Sequence, residues 1–331
     1  MFVSSKTLCR HTGFALSVIY LAPLKKLTSF WIGGILMGAL GAICFSTKAV
    51  FVKLAYRDSQ VDVLALLALR MIFSFPFFLV SALVSSKQKA NVQFTKIQWI
   101  QVAIVGFLGY YISSALDFYG LKFVTAGIER LILFAYPTFV LILNAAWFRQ
   151  QASSRQWAAV GLTYLGLTIA FASEARIQQG DDFYFGAAMI LLCAVTYALY
   201  IVGSGRLIPA LGAAKFNSYA MSFACIGVIA HYLLVSDGSL FGLPPIVYVY
   251  SFLMATVSTI IPTYLISSGI NRIGSNNIAV LASLGPLSTI IQAHYFLGEN
   301  VSGLQLVGTL FILGGVLMIA WKPKTSVPLP A

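Results

Sequence analysis

LDFYGLKFVTAGIERLILFAYP, residues 116–137, and LISSGINRIGSNNIAVLASLGP, residues 265–286, are two versions of one stretch. Both open on leucine, Leu116 and Leu265. Gly120 answers to Gly269 and Pro137 to Pro286, so the Gly-to-Pro spacing is the same in each. Downstream, Phe148 and Phe296 each precede a short loop, with Gln156 and Gln305 following. A glycine-containing run then begins near Gly161 and Gly308, once a one-residue gap is allowed. Recurrence of this kind marks a duplicated unit.

The unit is a set of membrane spans. Charged residues make up 9% of the chain and apolar ones 59%, with a mean hydropathy of +0.89. A soluble domain carries about 25% charged residues, so most of this chain cannot face water. A helix crossing the ~30 Å hydrocarbon layer needs about 20 apolar residues. Ten such runs follow one another: Phe30–Lys53, Val61–Ser85, Trp99–Lys122, Thr125–Phe148, Trp157–Ala175, Phe183–Gly203, Tyr219–Val235, Ile246–Ser268, Asn276–Leu297 and Leu304–Trp321. Long uninterrupted runs exclude a β-barrel, whose strands alternate over short segments. The expected fold is an all-α membrane protein. Five spans per copy is an odd number, so the second copy enters the membrane upside down.

The expected organisation is an N-terminal extension at 1–27, a first repeat at 28–175, a polar linker RIQQGDD at 176–182, a second repeat at 183–321 and a tail at 322–331. The extension has the outline of a signal peptide but no small-residue cleavage site, and reads as cytoplasmic or interfacial. With the N-terminus inside, 14 Lys and Arg fall on the inner side and 4 on the outer, out of 21. That asymmetry is the positive-inside signal and sets both termini inside. It also accounts for the net charge of +12 without any nucleic-acid partner. Cys9, Cys44, Cys193 and Cys225 form no CxxC, so neither metal nor disulfide is expected.

Three further features narrow the identity: a Lys-bearing first span, KAVFVKLAY at 48–56; an Arg-bearing second, LALRMIFSFPFF at 67–78; and FLGEN at 296–300 before the last span. With the ten-span pattern and the mid-helix prolines of spans four and nine, the chain resembles the drug/metabolite transporter superfamily, with two EamA-type domains. The resemblance covers roughly residues 30–321. It implies two inverted five-helix repeats, and a carrier in a cytoplasmic (inner) membrane that exports amino acids, related metabolites or drugs. An organic-anion or nucleotide-sugar exchanger of the same superfamily is the alternative. A channel or an intramembrane enzyme fits less well, because no clustered catalytic set is evident. One departure stands out: where the second copy has Gly298-Glu299, the first has Arg149-Gln150-Gln151.

Ionisable residues at membrane depth cost about 2.5–3.5 kcal/mol each on insertion scales, so each is a candidate. Glu129 and Arg130 open span four. As helix neighbours they point about 100° apart, which predicts separate partners. Glu129 suits proton exchange or a cationic group, and Arg130 a carboxylate or phosphate. Lys48 lies deep in span one, whereas Lys53 is placed to snorkel. Arg70 is expected to face a cavity. Asp117 is expected to pair with Arg130 or Lys122, or to face an outer vestibule. Pro137 and Pro286 each remove a backbone donor, and paired breaks point to a midplane site. Tyr110, Tyr111, Tyr136 and Tyr264 are candidates to line a cavity. Gly34 and Gly38 form a GxxxG and Gly314-Gly315 marks span ten, which reads as packing between helices, with a homodimer through span ten as the alternative.

There is no phosphate loop, metal motif or nucleophile elbow. No cofactor is therefore expected, and the energy source is expected to be a gradient, with protons the first choice. The expected partners are the lipid bilayer and a small-molecule substrate.

Overall fold

The computed structural model describes residues 12–59, 61–87, 93–148, 153–175, 181–236, 238–273, 281 and 284–320. Among these residues the structure is helical with no strand. The described residues fall into ten successive helical segments. α1 is Thr12–Ser59 and α2 is Val63–Lys87. α3 passes through Lys96–Gly106, a π-helical stretch Phe107–Ile112, and Ser113–Gly120. α4 is Ala126–Leu133 followed, after a break, by Tyr136–Phe148. α5 is Ser154–Ala175, α6 Asp181–Leu211 and α7 Ala213–Val235. α8 is Pro245–Ala255, a second π stretch Thr256–Ile260, and Ile261–Ile273. α9 is Leu284–Gln292 with a third π stretch Ala293–Leu297, and α10 is Gly303–Ala320.

Seven of these are long and apolar enough to cross a membrane, and parts of α5 and α10 are shorter apolar helices. Burial runs opposite to that of a soluble protein. Leu36, Val80 and Leu310 are exposed, whereas Lys48, Arg70, Asp117, Glu129 and Arg130 are buried. The apolar exterior is the surface that meets lipid. α1 differs from its expected span. It is helical from Thr12, so the described part of the 1–27 extension is continuous with the first span. At ~1.5 Å per residue it greatly outruns a ~30 Å hydrocarbon layer, and its crossing part is Phe30–Ser59. Residues 1–11, most of the linker, part of span nine and the 322–331 tail lie outside the described residues.

Local sequence sets the helix boundaries. Thr95 and Gln98 form a reciprocal capping box at the start of α3. Thr125 caps α4 by accepting from Ile128 N. Pro137 lacks the N–H that would reach the Leu133 carbonyl, and α4 breaks at Phe134–Ala135.

The two halves interlock antiparallel. Along α1 and α8, Thr47 Oγ1 and Ser258 Oγ are 2.7 Å apart, and Gly41 lies against Ile266. Gly33 lies against Arg272 at the other end, so the numbering runs in opposite directions. α6 packs on α3 in the same way, with Gly109 against Tyr200 and Gly120 against Ile190. α5 and α10 meet each other at glycines. Gly166 lies against the Gly308 carbonyl and Gly308 against that of Gly166, while Gly315 lies against Ala159 and Thr163. The glycine pair of span ten is thus covered by α5.

A candidate substrate and coupling site

Lys48 from α1, Asp117 from α3, and Glu129 and Arg130 from α4 converge in one buried group. Lys48 Nζ is 2.7 Å from Asp117 Oδ2 and 3.9 Å from Glu129 Oε1. Arg130 Nε is 3.6 Å from Glu129 Oε2. Relative exposure is 6% for Lys48, 1% for Arg130 and nil for both acids. Two cations and two carboxylates balance here, which is what makes the burial tolerable. Removing one member of such a set costs about 3–5 kcal/mol, because its partner stays behind as a lone buried charge.

One pairing expectation holds in part and another fails. Glu129 and Arg130 have separate partners, Lys48 for the acid and Thr289 with Ser46 for the cation, but they also pair with each other. Although their Cα–Cβ directions diverge, the long Arg130 side chain brings its Nε within ion-pair range of the Glu129 carboxylate. Asp117 takes neither Arg130 nor Lys122 but Lys48, whose long side chain reaches it from α1. Lys122 instead lies over the Tyr56 ring, 5.9 Å from its centroid.

The second half reaches this group through neutral atoms. Arg130 Nε donates to Thr289 Oγ1 of α9 at 3.2 Å and Nη2 to the Ser46 carbonyl at 3.4 Å. Ser46 Oγ donates to the Gly285 carbonyl at 3.1 Å, beside Pro286. Phe45 lies under both cations, 5.9 Å from Lys48 Nζ and 5.6 Å from Arg130 Cζ. The break before Pro137 ends the buried first part of α4, just after the charged pair.

Arg70 stands apart from this group. It is 3% exposed and among the described residues bonds only hydroxyls: Thr259 Oγ1 from Nε at 3.2 Å and Nη2 at 3.0 Å, and Ser114 Oγ from Nη1 at 3.4 Å. Phe118 covers it, with 5.6 Å from Cζ to the ring centroid. Two π stretches flank it, Phe107–Ile112 in α3 and Thr256–Ile260 in α8. Phe107 and Thr256 stand as far apart along the chain as Gly120 and Gly269, or Pro137 and Pro286. The widened turns are therefore matching parts of the two repeats. Such turns recur at functional sites.

The aromatic candidates divide. Tyr110 Oη is 3.0 Å from Tyr200 Oη, Tyr200 Oη donates to Asn217 Oδ1 at 3.2 Å, and Tyr136 meets Tyr197 edge-on at 5.1 Å. Tyr111 bonds His231 Nδ1 at 2.7 Å. Tyr264 is exposed. Tyr197 and Tyr200 carry no charge to mark them, and only the packing of α6 on α3 and α4 reveals them.

At the other end of α4 a pocket of about 540 Å³ is lined by Lys53, Tyr56, Arg57, Lys122, Thr125 and Glu299, among others. Lys53 does not snorkel freely: its Nζ donates to the Leu121 carbonyl at 3.0 Å. Glu299, from the FLGEN segment of the second half, accepts from Ala126 N at 2.9 Å and Gly127 N at 3.3 Å. A carboxylate on the first free N–H groups of a helix is well placed against the positive end of its dipole. The counterpart positions Gln150 and Gln151 lie outside the described residues. No group of three or more potential metal ligands is found among the described residues.

Comparison with known proteins gives the family. The EamA-like transporter family matches twice, over residues 32–172 and 184–321. The uncharacterized transporter YcbK of Bacillus subtilis (strain 168) is 30% identical over 293 residues, covering 85% of this chain and 89% of that protein. The probable amino-acid metabolite efflux pump of Salmonella typhimurium (strain LT2) is 24% identical over 208 residues, covering 60% of this chain and 69% of that protein. One crystal structure superposes with a TM-score of 0.60 at 16% identity, over 86% of this chain and 96% of that one. At that identity the likeness is one of fold.

Proposed function

This chain belongs to the EamA-like transporter family, and we propose that it is a secondary carrier working by alternating access, exporting amino acids or related metabolites from the cytoplasm. It is a multi-pass membrane protein of a transporter family. The observation that carries the finer reading is the buried group Lys48–Asp117–Glu129–Arg130. Its charges come from the first half, and it is hydrogen-bonded to Thr289 of the second. A charged group at the contact of two inverted halves is where a rocking carrier holds substrate and coupling ion. The efflux-pump relative supports amino-acid metabolites as cargo. The Lys and Arg asymmetry supports a cytoplasmic membrane with both termini inside.

In this mechanism Glu129 exchanges a proton. It shares Lys48 with Asp117 and Arg130 with no other acid, so protonating it leaves Lys48 on Asp117 and frees Arg130 for a new partner. Saturable counterflow in proteoliposomes tests the carrier itself. Coupling is tested by Glu129→Gln, which is expected to abolish acceleration by an imposed pH gradient while keeping exchange at equal pH. Full gradient dependence in that variant would sink the coupling role.

A further inference from the structure

The buried ions of the central group balance one another in charge, and Arg70 is left over. Among the described residues no carboxylate oxygen comes within ion-pair distance of it. Asp117, the acid whose field acts on it most, is held by Lys48 at 2.7 Å. A full charge at 3% exposure thus rests on two hydroxyls and the face of Phe118. Burying a charge is costly when nothing of opposite sign accompanies it. Such an arrangement persists where the missing counter-charge arrives with a ligand.

The geometry of the guanidinium says which ligand. Its Nε–Nη2 edge presents two parallel donors that match the two oxygens of a carboxylate. Here both donors converge on a single oxygen, Thr259 Oγ1. That hydroxyl has a second engagement, donating to the Met254 carbonyl at 2.8 Å across the π turn of α8. Thr259 belongs to the second half, whereas Arg70 and Ser114 belong to the first. Parting the halves there would free the fork edge. One turn along α2, on the same face, Ser74 is fully buried and its hydroxyl has no hydrogen-bond partner among the described residues.

We propose that Arg70 holds the carboxylate of the transported molecule, with the Thr259 hydroxyl standing in that place when the site is empty. This rests on the carrier reading and narrows it: cargo must carry a carboxylate, and its amide or decarboxylated relatives are refused. Arg70 adjoins the ion pairs around Lys48 through Ser114 and Phe118 on the helix of Asp117, so the substrate carboxylate and the proton are held by neighbouring but different residues.

The test uses the purified full chain in detergent, its melting temperature followed against benzoate and, as a neutral isostere, benzamide at constant ionic strength. Benzoate is expected to stabilise and benzamide not to. Arg70→Gln should weaken the benzoate response about tenfold or more, and Arg70→Lys, which keeps charge but lacks the fork, should fall between. Thr259→Val should tighten it severalfold, because the competing oxygen is gone. Equal responses to benzoate and benzamide overturn the assignment, as does an Arg70→Gln protein with wild-type affinity. Should Arg70→Gln not fold, unchanged affinity in Thr259→Val overturns it instead. Counterflow separates the two readings: exchange without discrimination against amides removes the Arg70 role alone, and carboxylate binding without exchange removes the carrier.

Discussion

The two halves share a scaffold and divide the chemistry. Apart from Lys215 at the start of α7, every buried charge among the described residues belongs to the first half. The second half answers with Thr259, Thr289 and the Gly285 carbonyl, and with the tyrosines of α6. Yet the backbone features recur: a π stretch at Phe107–Ile112 and again at Thr256–Ile260, and glycine contacts that read the same from either half. The backbone geometry is thus common to both copies, while the buried charges lie almost wholly in one. A symmetric second set of cations and acids at the same contact would double the cost of burial.

The sharpest way to break that division is to strike its charged side. Lys48→Met leaves Asp117 and Glu129 facing each other across a buried gap, and is expected to lower stability by about 3–5 kcal/mol, against about 1 kcal/mol for Thr289→Val in the other half. Denaturant unfolding in mixed micelles measures both, and equal losses would refute the division. The shared scaffold predicts the opposite, equality. Gly308→Val and Gly166→Val each push a side chain into the other's backbone, and each should cost about 1–3 kcal/mol, alike within error. A large difference between them would show that the α5–α10 contact is not reciprocal. The smallest effect concerns the Glu299 bridge. Glu299→Ala should cost about 1 kcal/mol and speed hydrogen exchange at Ala126 and Gly127, with little change at Ile128, which Thr125 holds.

Much of the scaffold is written locally. Span lengths follow from runs of apolar side chains such as Val63–Lys87, and the duplication from the spacing of Gly120 and Pro137. Ionisable residues at membrane depth announce themselves, so Lys48, Arg70, Asp117, Glu129 and Arg130 can be picked out one by one. Their pairing cannot. Whether Asp117 meets Lys48 or Arg130 depends on which face α1 turns toward α3, and the apolar surface of a spanning helix does not encode that face. Glu299 shows the same limit at greater range. In sequence it is a loop acid absent from the first copy, and only the fold brings it to the start of α4. The π stretches have no residue signature at all. They record a helix adjusting to its neighbours.

The glycine contacts of α5 and α10 carry one more consequence. Two places where backbones touch, Gly166 with Gly308 and Ala159 with Gly315, lie along a single antiparallel pair of helices. Two points define a line. If one half turns against the other, this line is the fulcrum, because side chains too small to yield leave no room for sliding. Displacement then grows with distance from it, so the same few degrees that leave these glycines in register carry more distant groups by ångströms.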